Sequence, residues 1–232
     1  MATFVVAHGA WSAGWGWKKM HPLMAARGHR LVVPTLTGLG ERSHLAHAGV
    51  DLDTHIADVC GVLTFEDLTG VILIGHSYGG MVATGVADRA RDRVGTVVYI
   101  DAFAPKNGDS AFDLLPASVR DHRKGNAGGD WRMPPNPMPP DTAAEDRAWA
   151  DPKRVPQPIK TFEQKLVLKS EPPQPRHYIY CKKCSADDRF RRFYDRAKAE
   201  GWRTYEIDSS HNPHITVPQA LAQMLDGIAS GN

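Results

Sequence analysis

Long apolar runs are missing from this chain of 232 residues. No stretch approaches the roughly 20 residues that a membrane-spanning helix needs, which excludes a helical membrane protein. Cysteine is scarce as well. Cys60, Cys181 and Cys184 are an odd, small number for this length, which argues against a disulfide scaffold. Cys181 and Cys184 have CxxC spacing, but no second pair completes a zinc site of about four ligands. The pair also comes too late in the chain for a thioredoxin-like redox turn. Two thiols at a strand end, and no metal, are the expectation. Charge of one sign is lacking too. Lys and Arg number 28 and Asp and Glu 26, a net charge of +2. That excludes nucleic acid and membrane surfaces as partners suggested by charge. The basic stretch Arg189-Phe190-Arg191-Arg192 is flanked by Asp187, Asp188 and Asp195 and reads as a solvated helix face. Met1-Ala2-Thr3 leads straight into Phe4-Val5-Val6-Ala7, with no basic n-region and no cleavage site, so cytoplasmic residence is expected.

What is there is ordinary for a globular protein: 42% apolar and 23% charged residues. The length suits one domain, or one domain with an insertion. Apolar runs alternate with helical stretches. Strands are expected at Phe4–Ala7, His29–Thr35, Val71–Ile74, Val94–Ile100, His177–Tyr180 and Thr204–Ile207. Helices are expected at Trp17–Arg27, Asp53–Leu68, Ser77–Arg91, Asp187–Glu200 and Pro218–Ile228. Such alternation predicts an α/β fold, a parallel sheet with helices on both faces. One region breaks it. Residues 106–175 hold many prolines, among them Pro134-Pro135 and Pro139-Pro140, which fit neither a helix interior nor a central strand. A structureless loop of that length is improbable in a compact domain. The expectation is a core of residues 1–105 and 176–232 with a lid or cap inserted at 106–175.

Gly75-His76-Ser77-Tyr78-Gly79 fits G-x-S-x-G, and its setting carries the argument. The strongest strand precedes it and a helix follows. A strained turn there would lift the serine hydroxyl clear of the sheet. The helix N-terminus behind it would favour developing negative charge. Serine needs a base, and the base should follow the last strand. Two histidines compete: His211, directly after the loop that leaves Thr204–Ile207, is the favoured candidate, and His214, near the start of the last helix, is the rival that could instead only pack or hydrogen-bond nearby. The acid should lie between serine and histidine in the chain. Asp101 qualifies because it ends the fourth apolar strand, and strand C-termini face the site in a parallel sheet. Asp187 or Asp188, after the fifth strand, are alternatives that could instead cap the following helix. Oxyanion donors are expected from the amides of Tyr78 and Ala10, the latter in His8-Gly9-Ala10-Trp11. His8 and His76 are expected to be structural. Trp11, Trp131 and Trp149 suggest an apolar substrate pocket under the lid.

With these residues in hand, the chain resembles the α/β-hydrolase superfamily. His8-Gly9-Ala10-Trp11, Trp15, Trp17, Gly75 to Gly80, the stretch Pro34–Leu45 and the late His211 make it similar to bacterial esterases related to the plant methylesterase and hydroxynitrile lyase branch. The resemblance runs over nearly the whole chain and is weakest at 106–175. It implies a six-stranded sheet of order 2-1-3-4-5-6, an ester-cleaving triad and no cofactor. Two positions depart from the pattern. The lyases carry a lysine directly after the catalytic histidine, where this chain has Asn212. The plant esterases place their acid after the fifth local strand, where Cys181-Lys182-Lys183-Cys184 does not match. Asp101 instead matches the acid of certain dehalogenases of the superfamily.

The expected function is therefore hydrolysis of a small or medium apolar carboxylic ester through a Ser-His-Asp triad and an acyl-enzyme. The partner is a small-molecule ester, and a homodimer is left open. The rivals are a lyase or acyltransferase on the same triad and a ligand receptor that keeps a slow hydrolase site.

Overall fold

The computed structural model describes residues 1–126, 130–183 and 188–231. Six strands form one sheet: β1 (Thr3–Ala7), β2 (Arg30–Val32), β3 (Val71–His76), β4 (Val94–Ile100), β7 (Arg176–Cys181) and β8 (Arg203–Ile207). Their spatial order is β2-β1-β3-β4-β7-β8, and every neighbouring pair is parallel. That is the order 2-1-3-4-5-6 counted along this sheet. β3 is buried along its whole length, as its unbroken apolar run requires of a central strand covered on both faces. β2 is shorter than His29–Thr35, and it pairs with β1 over Arg30–Val32.

Alternation along each strand divides the core in two. Val5 and Ala7 of β1 face α2 (Leu52–Phe65) and α3 (Gly79–Arg89), with Ile56, Leu63 and Val82. Phe4 and Val6 point the other way, onto Trp17, Met20 and Met24 and onto Leu221 and Leu225 of α9 (Pro218–Ala229). α2 starts where its sequence says it should. The Asp51 side chain accepts from Thr54 N, and Thr54 Oγ1 accepts from Asp51 N, a reciprocal cap. Trp17–Arg27 is not one helix. A 3-10 turn over Gly14–Trp17 precedes a short α1 at Met20–Ala25.

Residues 106–175 leave the sheet after β4 and return to it at β7. They hold α4 (Ala117–Asn126), α5 (Ala144–Ala150), α6 (Lys160–Glu163) and a two-stranded antiparallel pair, β5 (Arg132–Met133) with β6 (Gln157–Pro158). After β7 the chain runs into α7 (Arg191–Ala199), and a single turn, α8 (Pro213–Thr216), precedes α9. Among the described residues, no helix is long and apolar enough to cross a membrane.

Candidate active site

The site forms where β3, β4 and β8 end, on the C-terminal edge of the sheet, as expected for a parallel α/β arrangement. Ser77 lies between the end of β3 and the start of α3 with φ +55°, a left-handed conformation that a non-glycine residue adopts only under constraint. The constraint comes from close packing behind it. A Cβ on Gly79 would lie 2.0 Å from the carbonyl oxygen of Ala7, and one on Gly80 would lie 1.9 Å from that of Phe103. Only glycine lets the start of α3 press onto the sheet this closely.

Ser77 Oγ is 2.8 Å from His211 Nε2. His211 Nδ1 is 2.6 Å from Asp101 Oδ2. A carboxylate can only accept, so Nδ1 carries the proton and Nε2 is free to accept from the serine hydroxyl. Asp101 is buried and also holds a left-handed backbone, φ +42°. Its amide donates to Ile179 O at 2.8 Å, so the neighbouring β7 fixes the turn that aims its carboxylate. Phe190 lies flat on the His211 ring, 4.9 Å between centroids at 6°.

Asp188 lines the same cavity, but among the described residues it makes no hydrogen bond to His211. It accepts from Tyr180 Oη and from the amide of Arg191 at 3.1 Å, which makes it a cap for α7. Asp187 and Cys184 lie outside the described residues. Ala10 and Tyr78 line the same cavity as Ser77, and among the described residues neither amide donates to a protein acceptor.

That cavity holds about 1150 Å³. Its apolar wall includes Trp11, Trp15, Phe103, Met138, Phe162 and Phe190. Two expectations about it need correction. Trp131 and Trp149 are not on its wall. The Trp131 ring is covered by the Arg132 guanidinium, and Trp149 packs edge-on against Trp15, which does line the cavity. Trp11 is on the wall, and residues 132–162 grip it. Its amide donates to Gln157 Oε1 at 3.0 Å, and its indole N–H donates to Met133 O at 3.0 Å. Phe162 stacks on Tyr78 with centroids 5.0 Å apart.

Four buried histidines surround this centre uncharged. His8 donates Nδ1–H to Gly9 O and accepts from Leu36 N at Nε2. Burial lowers its pKa to about 4. His55 accepts from Tyr78 Oη at Nδ1 and donates to Thr37 O, and burial likewise brings it to about 4. His214 stacks on Trp17 at 4.6 Å and falls to about 3, from burial first and the neighbouring His211 second. His76 lies well below the usual histidine range, chiefly through burial.

Sequence reasoning missed Gln157, Phe190 and the hydrogen bond made by His76. A lone glutamine or phenylalanine has no local pattern that marks it. Phe190 was hidden in a charged stretch that reads as solvated, whereas it is buried on His211. Among the described residues, no group of three His, Cys, Asp or Glu side chains is arranged to hold a metal ion.

The sequence pattern of the Alpha/beta hydrolase family matches residues 4–224. The chain is 35% identical over 240 aligned residues to the carbendazim hydrolyzing esterase of Nocardioides sp. (strain SG-4G), covering 97% of this chain and 98% of that protein. It is 32% identical over 113 residues to methylesterase 2 of Arabidopsis thaliana, 44% of this chain and 40% of that protein. Among solved structures, an extracellular alpha/beta-hydrolase from a Paenibacillus species matches with a TM-score of 0.84 at 24% identity, over 97% of this chain and 98% of that one. That last likeness is one of fold.

Proposed function

The chain belongs to the alpha/beta hydrolase family and is a carboxylic ester hydrolase, and from that premise we propose that it cleaves a small or medium apolar ester through Ser77, His211 and Asp101. The observation that carries the reading is the unbroken line from Ser77 Oγ to His211 Nε2 at 2.8 Å and from His211 Nδ1 to Asp101 at 2.6 Å. In this reading His211 takes the hydroxyl proton as Ser77 Oγ attacks the ester carbonyl. The amides of Ala10 and Tyr78 receive the oxyanion, and the N-terminus of α3 favours the charge that develops there. His211 then returns its proton to the departing alcohol. Water, deprotonated by the same imidazole, cleaves the acyl-enzyme. Asp101 holds the imidazole tautomer and offsets its transient charge.

The aromatic wall of the cavity supports an apolar substrate, and residues 106–175, which grip Trp11 and stack on Tyr78, serve as its cap. The test is Ser77→Ala with a p-nitrophenyl ester. The expected fall in kcat/KM is about a thousandfold or more. Hydrolysis at the wild-type rate would end the assignment.

A further inference from the structure

His76 is the residue of the serine turn for which the mechanism above has no task. It is buried, and among the described residues its ring makes one hydrogen bond. Its Nε2 lies 2.8 Å from the backbone carbonyl oxygen of His211, 135 residues away. A carbonyl only accepts, so the proton must be on Nε2. Nδ1 has no partner and is backed by the oxyanion loop. A Cβ on Gly9 would lie 2.8 Å from it.

A buried imidazole with one orphan nitrogen is a poor choice for mere filling, since an apolar ring would pack there without the desolvation penalty. What the imidazole adds is the bond to residue 211. We propose that His76 is a positioning residue: its ring N–H, donated to the carbonyl of His211, straps the strand carrying the nucleophile to the loop carrying the base. The loop's approach is held at Ser209 O by Lys183 N and at Ser210 N by Asp141. Asp101 and Phe190 hold the ring of residue 211, and among the described residues the bond from His76 is the one that holds its backbone. Because His76 directly precedes Ser77, the strap sets the serine and the imidazole in one frame. The ring contacts continue the frame, with His76 against His211 at 5.0 Å and against His214 at 4.7 Å. Burial and the neighbouring His214 and His211 keep His76 neutral, so it adds no charge beside the base.

This inference rests on the proposed roles of Ser77 and His211, and its test separates the two. The first measurement needs no turnover. In ¹⁵N-imidazole spectra of the wild-type protein at neutral pH, His76 is expected as the Nε2–H tautomer. An Nδ1–H tautomer overturns the strap whatever the enzyme hydrolyses. The second uses kinetics. His76→Phe keeps the ring and loses the donor, and kcat is expected to fall about 10- to 100-fold with KM nearly unchanged, the signature of a misplaced catalytic group. His76→Gln restores an N–H of similar reach and is expected to recover most of that loss. If Phe and Gln variants lose kcat equally, or if the Phe variant keeps the wild-type kcat, the strap is wrong. A Phe variant that does not fold leaves the tautomer to decide. Failure of Ser77→Ala to lower turnover would instead sink the proposed function and leave the tautomer result standing.

Discussion

Asp101 Oδ2 and His211 Nδ1 lie 2.6 Å apart although 110 residues separate them in the chain. The contact depends on a left-handed turn at Asp101, directly after β4, which swings the carboxylate across toward the loop after β8. The other described candidate, Asp188, spends both its oxygens on Tyr180 Oη and the amide of Arg191.

This difference yields the first prediction. Asp101→Asn presents an N–H to His211 Nδ1, which moves the imidazole proton to Nε2, where it faces the serine. The wrong tautomer cannot accept, and kcat should drop about 10³- to 10⁴-fold. Asp188→Asn should leave kcat within about threefold, since helix caps act on stability, typically by about 1 kcal/mol. Steady-state rates of the two variants on one ester decide it. A near-normal Asp101→Asn would move the acid elsewhere.

The second prediction separates the amide of Tyr78 from its side chain. In the proposed mechanism only the amide meets the oxyanion. The phenol donates to His55 Nδ1 at 3.0 Å, deep under Phe162. Tyr78→Phe should keep kcat within about twofold, yet lower stability by about 1–3 kcal/mol by orphaning a buried acceptor. Denaturant unfolding beside steady-state kinetics reads both. A large fall in kcat with unchanged stability would assign the hydroxyl a chemical role.

How much of this could be read beforehand follows from how far each signal reaches along the chain. The strands were legible because a strand buried on both faces is a continuous apolar run, as Val71–Ile74 shows. The serine turn was legible because the glycines it requires, Gly75, Gly79 and Gly80, lie within six residues, although what they pack against does not. The choice between Asp101 and Asp188 was not. It turns on which carboxylate meets a histidine far along the chain, and no local pattern carries that. The tryptophans failed for a related reason. Trp131 and Trp149 are apolar enough for a pocket wall, but the short pairing of β5 with β6 and the contact with Trp15 turn them elsewhere. Gln157 and Phe190 act through tertiary contacts alone.

A third prediction concerns the close packing behind the serine. Gly80→Ala puts a methyl group 1.9 Å from the carbonyl oxygen of Phe103, and backbone on both sides must move. The expected destabilisation is about 3 kcal/mol or more, with activity lost as Ser77 shifts. Gly61→Ala is the control. Gly61 lies within α2, and a Cβ there meets nothing within 4 Å. It should gain about 0.5–1 kcal/mol from helix propensity. Melting temperatures that move in the same direction for both variants would contradict the packing account.

The buried histidines set the acid limit of stability. His8 and His55 have pKa values lowered to about 4 and His214 to about 3, in each case chiefly by burial. Unfolded, each would titrate near 6.5. Above that value both states hold these rings neutral, and stability does not depend on them. As pH falls below it, the unfolded chain binds protons that the folded protein refuses, so stability falls with pH. The loss continues until the folded-state values are reached, and each histidine contributes on the order of 1 kcal/mol per pH unit over that window. With His76, which burial also holds well below the usual histidine range, the four rings make a slope of about 5 kcal/mol per pH unit, steep enough to unfold an ordinary domain within about two units. Urea midpoints should therefore be level above about pH 7 and collapse between about pH 6 and pH 4. His214→Phe can still stack on Trp17 and has nothing to protonate, so it should flatten the slope by about one-quarter. An unchanged slope in that variant would mean that the ring at 214 takes up its proton in the folded protein.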